Sequence, residues 1–360
     1  MANRSTTFDG SDPQIAAAVL ASFWGDKSQR LVEAHASDQA KVTVNKGGYY
    51  IPFLIGTTPF LIDTAAHVDS IADLDTGSLA AGTDYFVYAC NSSGSLVFKV
   101  SAASTYPSGF AANTSRKIGG FHYGRIRNSI TTSDVTSGAI VPNSIWDLKH
   151  RPSCSPEGMA YMGNGVWVDI YLPSVNASIS FANGNGSPIT AGSAKSTYNS
   201  TPLTGTEGLS GYNFNELARL SGKRLLTLSE WFQAAHGSPP GEDANNDHAW
   251  AKTTNAARNA TGGVADAISL LNIVDCVGNV LEWVDEYLLQ EGASAGGWQD
   301  EMPGLLVGQL YEYGDNSFRQ IICGGNWDNG VLAGSRCVHL SDYPWFVSAS
   351  RGSRFACDSL

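Results

Sequence analysis

The sequence predicts an α+β protein: a β-rich N-terminal part followed by a larger part that adds two helices to further strands. Three observations carry this. Residues 41–100 hold short segments rich in β-branched and aromatic residues (KVTVN, YYIPFLI, DYFVYAC and SLVFKVS), punctuated by Gly, Asn-Ser and Thr-Thr. Two helix signals stand beyond residue 210. The 360 residues include 39 Gly but only 15% charged residues, which suits strands and structured loops better than helical bundles. A chain of this length calls for more than one core.

In chain order, Asp12-Pro13 is a start signal. Ile15, Val19, Leu20, Phe23 and Leu31 then recur at helical spacing, which predicts a short helix within residues 12–36. The strands of residues 41–100 follow, with NSSGS at 91–95 as a hairpin turn, and build a small β-sandwich or β-prism. SITTSDVTSGAIVPNS at 129–144 reads as a linker. The texture then changes, with eight of the nine Trp lying beyond residue 145. GYNFNELARLSG (211–222) predicts a helix with Phe214, Leu217 and Leu220 on one side and Gly222 as its stop. LTLSEWFQAAHG (226–237) predicts a second, with Thr227 as N-cap and Glu230 completing a capping box. Long polar loops at 182–210, 237–263 and 290–305 separate these elements. The expected organisation is residues 1–58 as an attachment or oligomerisation segment, 59–135 as a sandwich-like domain and 136–360 as one further domain.

Charge and motif content narrow the function. A net charge of −11 would repel a phosphate backbone, so nucleic acid is not an expected partner. No basic amphipathic helix faces a membrane surface, and no apolar run is long enough for insertion into a bilayer. The opening MANRSTTFDGSDPQ lacks the apolar core of a signal peptide; the expectation is synthesis in a cytoplasm and release by another path, such as lysis. Cys90, Cys154, Cys276, Cys323, Cys337 and Cys357 form no C-x-x-C pair, so buried free thiols are expected, with a Cys337–Cys357 bridge left open. The seven His do not cluster at ligand spacing, and His122 in GGFHY reads as structural. Asp243, Asn245, Asn246 and Asp247 present oxygen ligands without EF-hand spacing; a solvated loop is expected, no cofactor is required, and a structural calcium ion stays open.

Four segments in order carry a resemblance. They are GKRLLTLSEWFQAA (222–235), DCVGNVLEWVDEY (275–287), ICGGNWDNG (322–330), and AGSRCV (333–338) with GSRFAC (352–357). The series resembles the C-type-lectin-like domain of the formylglycine-generating-enzyme subtype, which those enzymes share with the variable proteins of diversity-generating retroelements. LAAGTDYFVYAC (79–90), TYPSGFAANTSRKIGGFHY (105–123), SIWDLKHRP (144–152) and GVWVDIYLPSV (165–175) are further similar to the tropism-determinant family of phage tail-fibre receptor-binding proteins. The likeness runs over residues 75–175 and 211–360, and the first 60 or so residues do not share it. It implies a homotrimer on a virion, held among other phage tail proteins. Its diversified face, within residues 324–360, would bind a host cell-surface protein or glycan. The family's variable positions arise from template adenines, mostly in AAC-type codons. The resemblance places them on Asn326, Asp328, Leu332, His339, Ser341, Asp342, Phe346, Ser348, Ser350 and Arg351, with Asn329 and Val331 less firmly placed. All ten are residues whose codons can be reached from AAC by changing only the first two bases.

The residues support the same face on their own terms. In WFVSASRGSR (345–354), a strand would put Phe346, Ser348 and Ser350 on one side and small apolar Val347 and Ala349 on the other, against a core. At 326–332, Asn326, Asp328 and Leu332 share a parity opposite to Trp327. His339, Ser341 and Asp342 fall in a turn before Tyr343-Pro344. Between these mixed side chains stands an expected scaffold. Gly324 and Gly325 allow close backbone approach, Trp327 anchors the loop in the core, Arg336 and Arg354 act as internal struts, and Glu282 with Trp283 supports them, Glu282 by pairing with a buried Arg.

Two rival readings weigh less. Oxidase chemistry of the formylglycine-generating type needs a close Cys pair after the Gly-Gly motif, and NWDNGVLAGSRC offers Cys337 alone, so no enzyme is expected. A bacterium-encoded retroelement-diversified surface protein would need an export signal that the opening segment lacks.

Overall fold

A computed structural model describes residues 30–131, 133–174, 195–239, 257–290, 296–300 and 308–360. These fall into two compact units. One comprises the described residues up to Tyr123 with Ile145–Arg151 and Leu360, and the other comprises Gly124–Ser144 and the described part of Pro152–Ser359.

The first unit is built from strands. In chain order they are β1 (Val32–Ala34), β2 (Lys41–Val44), β3 (Ile51–Ile55), β4 (Thr58–Ile62), β5 (Ala66–Asp69), β6 (Thr83–Ser92), β7 (Ser95–Ser101) and β8 (Ser115–Arg127), whose last residues enter the second unit. After β9 (Val135–Ile140), which belongs to the second unit, the chain returns for β10 (Trp146–Asp147). Sheet β1-β2-β5 is antiparallel, β3 and β4 form a hairpin, and β10, β8, β6 and β7 lie in that order in an antiparallel sheet. The turn from β6 to β7 is the two-residue Ser93-Gly94, both at positive φ as hairpin twist requires. His122 is buried and its Nδ1 lies 2.9 Å from Asp84 Oδ1, across the β6–β8 pair.

Two expectations fail here, and a third falls mostly outside the described residues. The helix expected within 12–36 lies almost wholly outside the described residues, and its described end is strand β1. That strand is held because the buried Asp147 carboxylate accepts from Leu31 N (2.6 Å) and Val32 N (3.3 Å). A boundary at residue 58 would cut through paired strands, since β2 pairs with β5 and β3 with β4. The stretch 129–144 is no linker in its described part: it holds β9 and a 3-10 turn at Pro142–Ser144, with Ala139, Ile140 and Val141 buried.

The second unit starts with β11 (Met159–Gly163), β12 (Val166–Asp169), β13 (Pro173–Ser174) and β14 (Lys195–Ser196). Helix α1 (Gly211–Leu220) opens on a Ser210/Asn213 capping box, and α2 (Leu228–Ala234), after β15 (Arg224–Leu225), opens on the Thr227/Glu230 box. Phe214 and Leu217 of α1 are buried, but Leu220 is exposed because the helix stops there. The remaining strands are β16 (Leu281–Gln290), β17 (Gly297–Asp300), β18 (Gln309–Glu312), β19 (Ser317–Cys323), β20 (Cys337–His339), β21 (Arg351–Ser353) and β22 (Phe355–Asp358). The segment 290–305, expected as a loop, thus contains β17. One sheet runs β11-β12-β22-β15, and a mixed sheet runs β17-β18-β20-β19-β16-β21, with β16–β21 and β18–β20 parallel. Trp167, Trp231, Trp283, Phe214 and Phe355 are fully buried in this unit.

Between the two sheets lies a buried ion pair. Glu282 on β16 and Arg354, between β21 and β22, are both fully shielded. Arg354 Nη2 and Nε donate to Glu282 at 3.0 and 3.1 Å; Nη1 donates to Asp169 O and Ile170 O, and Nη2 to Val274 O. All five guanidinium N–H groups are therefore used. Glu282 accepts a third bond from Trp231 Nε1 at 3.0 Å. Burial pushes the Glu282 carboxyl up, and Arg354 opposes that shift. Removing one partner strands the other charge. Arg354→Met and Glu282→Gln are each expected to cost ~3–5 kcal/mol in urea unfolding, and losses below ~1 kcal/mol would contradict a structural role for the pair.

Candidate functional site

The glycine pair that opens the C-terminal segment is shaped by its surroundings. Gly324 and Gly325 both adopt positive φ, and a Cβ would fall 2.6 Å from Cys276 O at the first and 2.6 Å from the Ala333 Cα at the second. The chain then makes a tight loop rather than a strand. Asn326 Oδ1 accepts from Asp328 N, Asn329 Oδ1 accepts from Asn326 N, and a 3-10 turn closes it at Gly330–Leu332. The alternating reading of 326–332 is corrected accordingly: Asn326 is buried, Asp328 exposed, and Leu332 half-buried. Trp327 is also only half-buried and is not a core anchor; its backbone N–H, not its ring, ties the loop by donating to Asn279 O at 3.2 Å. Arg336 is exposed and is no internal strut. Gly324, Gly325, Glu282, Trp283 and Arg354 are buried.

The second stretch also departs from a strand. Phe346 N donates to Tyr343 O at 2.8 Å, closing a turn with Pro344 in its second position. Residues 343–350 are irregular, and regular pairing resumes only at β21. Val347 and Ala349, expected to pack inward, are exposed, as are Trp345 (56%) and Phe346 (40%). The alternation of small residues imitates strand periodicity, but the turn at Pro344 rotates the chain out of any sheet.

Seven of the ten expected positions form one network here. Arg351 Nε donates to Asp342 Oδ2 at 2.6 Å, Arg351 Nη1 reaches Ser350 Oγ, and the guanidinium lies 5.8 Å from the Phe346 ring centroid. Ser348 Oγ meets Ser350 Oγ at 3.1 Å, while Ser341 Oγ bridges His339 Nδ1 and Asp342 Oδ1. His339 ends β20 rather than sitting in a turn, and it is 8% exposed, stacked on Tyr311 and edge-on to Trp298. His339, Asp342, Ser350 and Asn326 thus lie beneath the surface as supports. Asp328, Phe346, Ser348, Arg351, Ser341 and Leu332 are exposed or half-buried.

The two stretches share an anchor. Asn279 O accepts from Trp327 N, and two residues on, Leu281 N donates to Ser350 O at 3.0 Å. Gly205 N adds a bond to Ser348 O at 3.0 Å. Residues not singled out from sequence complete the surface. Tyr343 and Trp345 stack at 5.1 Å and 9° around Pro344, and the buried Arg319 guanidinium lies 3.9 Å from the Tyr343 ring centroid while bonding Asp315. The available signal was Tyr-Pro-Trp itself, a proline turn that presents two aromatics.

Among the described residues no group of three or more His, Cys, Asp or Glu is placed to hold a metal ion. The Asp243–Asp247 stretch lies outside the described residues. Cys337 is buried in β20.

Residues 32–147 match the family model described as the Mtd second domain. The chain is 29% identical over 294 residues to the tail fiber receptor-binding protein of Bordetella phage BPP-1, covering 79% of this chain and 73% of that protein. Among solved structures, the Major Tropism Determinant U1 variant superposes with a TM-score of 0.71 at 24% identity, over 95% of this chain and 88% of that one. The M1 variant gives a TM-score of 0.70 over 93% and 84%. The chain is tropism-determinant-like in sequence and fold.

Burial holds His339 neutral, shifting its pKa down from 6.5 to about 4, with the Arg351 charge adding to the effect and Asp342 opposing it. An unfolded chain takes up this proton near pH 6.5 and the folded chain only near 4, so the group removes stability as pH falls through that window. Replacing His339 with Phe should flatten the urea-unfolding free energy between those pH values relative to the parent. Parallel profiles would mean that His339 titrates normally. Trp345→Ala and Phe346→Ala should each change stability by less than ~0.5 kcal/mol, as at exposed sites, whereas Trp231→Ala should cost ~3–5 kcal/mol.

Proposed function

We propose that this tropism-determinant-like chain is a phage tail-fibre receptor-binding protein whose C-terminal face, residues 326–332 and 341–351, contacts a host-surface ligand. The observation that carries the reading is the pairing of this surface with its support. Trp345, Phe346, Val347 and Asp328 stand in solvent on loops fixed by main-chain bonds to residues 279–281 and 205. Exposed Trp and Phe on a rigid base are what a protein-binding hot spot requires. The similarity to a receptor-binding tail-fibre protein supports the same role.

In this reading the second unit is a C-type-lectin-like domain of the formylglycine-generating-enzyme subtype acting as a binder, without catalysis. The four ordered motifs support it: three of them line the buried pair, Trp231 from the first, Glu282 from the second and Arg354 from the last. The protein works on a virion as a homotrimer beside other tail proteins. Each face is small, so several copies raise a modest intrinsic affinity through avidity, by about 10²–10⁴-fold. The ten positions Asn326 to Arg351 are those at which side chains are exchanged to change the partner.

Two measurements test this. Alanine at Trp345, Phe346 or Asp328 should weaken adsorption of particles to host cells by roughly 10-fold or more while melting temperature holds. Adsorption unchanged by all three would remove the face from receptor binding. Sequencing the 3′ end of the gene across progeny should show substitutions concentrated at the ten positions; an even spread would end the diversification claim but leave the binding claim standing.

A further inference from the structure

Far from the face in sequence, Cys154 and Cys357 meet across 203 positions. Pro152 bridges antiparallel to Ser359, and Ser153 N donates to Asp358 O at 2.8 Å, so Cys154 comes opposite Cys357 at the end of β22. Cys154 N lies 3.2 Å and Ser153 Oγ 3.1 Å from Cys357 Sγ. Directly opposed residues of antiparallel strands stand about 4.5–5.5 Å apart at Cα, within the span a disulfide accepts without backbone movement. Both sulfurs are free thiols. Cys357 is buried, whereas Cys154 is partly exposed.

We infer that Cys154 and Cys357 are a reversible cross-linking pair, closing to an intramolecular disulfide when the chain meets a low-molecular-weight disulfide. The surroundings divide the labour between them. Hydrogen bonds from Cys154 and Ser153 draw the Cys357 thiol down to about 6, against its burial. Cys154 is pushed up by its hydrogen bond to the Cys357 sulfur and then by burial, with the nearby Lys223 ammonium working the other way. Cys90 and Cys276 differ in access: both are shielded from a small disulfide, and burial pushes both up to about 12. Cys154, the more accessible of the two, hands its proton to the Cys357 sulfur to which it is hydrogen-bonded and attacks the small disulfide, forming a mixed disulfide and releasing one small thiolate, which takes that proton from Cys357. The Cys357 thiolate then attacks Cys154 Sγ, the mixed S–S bond breaks, and the second small thiol leaves. The net change is two protein thiols oxidised and one small disulfide reduced to two thiols.

The cross-link would tie the 152–154 segment to β22, the strand that follows the Arg354 strut. It also closes a very long loop, which constrains the unfolded chain. Where the protein acts on a virion, as proposed above, it passes from a reducing cytoplasm to an oxidising medium, and the link would form after release.

The test uses the full chain, purified in reductant, exchanged into oxidised glutathione, quenched with iodoacetamide and mapped by mass spectrometry without reduction. The expected result is one linked peptide pair containing Cys154 and Cys357, with an intact mass about 2 Da lower. A melting temperature several degrees above the reduced form, reversed by dithiothreitol, should accompany it. Cys154→Ser and Cys357→Ser should each abolish the link; the first, at a partly exposed position, keeps the fold. Carbamidomethyl on both thiols after oxidation, a glutathione adduct persisting on Cys154, or a link through any other cysteine would each overturn the inference. None of these outcomes depends on receptor binding.

Discussion

The Arg354–Glu282 pair is the constraint on which the second unit depends. Two charges shielded from water are costly unless every donor and acceptor is used, and here the five guanidinium N–H groups find Glu282 and three backbone carbonyls. Those carbonyls come from residues 169–170 and 274, so one side chain joins the end of β12 and the approach to β16 to the strand pair that follows the face. Because β21 pairs parallel to β16 with Glu282 opposite Gly352, the ion pair also sets that register. A slip by one residue would carry Arg354 away from Glu282 and leave both charges unmatched.

From this centre the order extends outward through main-chain contacts. The Thr227/Glu230 box fixes the start of α2, which delivers Trp231 to Glu282. Arg224 grips Glu230 with two bonds and Asp358 with a third, joining α2 to β22. Arg258 holds Glu207 and Thr204, and thereby the turn whose Gly205 N carries Ser348. The face is therefore the last layer of a hierarchy whose innermost members, Glu282 and Arg354, are charged, saturated and buried.

This hierarchy explains what the sequence could show. Capping boxes are local, so Thr227 and Glu230 disclosed α2 without any tertiary knowledge. Strand texture and the turn at 91–95 were equally readable, and the pairing of Glu282 with a buried arginine followed from a charge in an apolar stretch. What escaped was set by distant partners. Nothing near Leu31 announces that the Asp147 carboxylate, 116 residues on, makes Val32–Ala34 a strand. The 129–144 stretch has a linker's composition, yet it places Val141 in the core of the second unit. Trp327 and Arg336 have the composition of core anchor and strut, but the loop around them opens to solvent. In residues 345–350 the alternation of small side chains mimicked a strand, because periodicity cannot register a turn that proline begins two residues earlier.

The way the face is held bears on what it tolerates. Three of its fixed points, Trp327 N on Asn279 O, Ser350 O on Leu281 N and Ser348 O on Gly205 N, are backbone groups, whereas Asn326 and Asn329 shape the 326–332 loop through their side chains. A backbone bond survives replacement of the side chain on the same residue, so Ser348 and Ser350 can change identity without releasing the chain. Side-chain links such as Asp342 to Arg351 and Ser341 to His339 have a different status. They stiffen this particular surface and would vanish or be replaced with its residues, altering local order rather than path. Positions bound only through main chain set where the loop runs. Positions bound through side chains set how firmly one version of it is held. A scaffold that separates these two tasks presents different chemistry on one geometry, and here the separation is visible bond by bond.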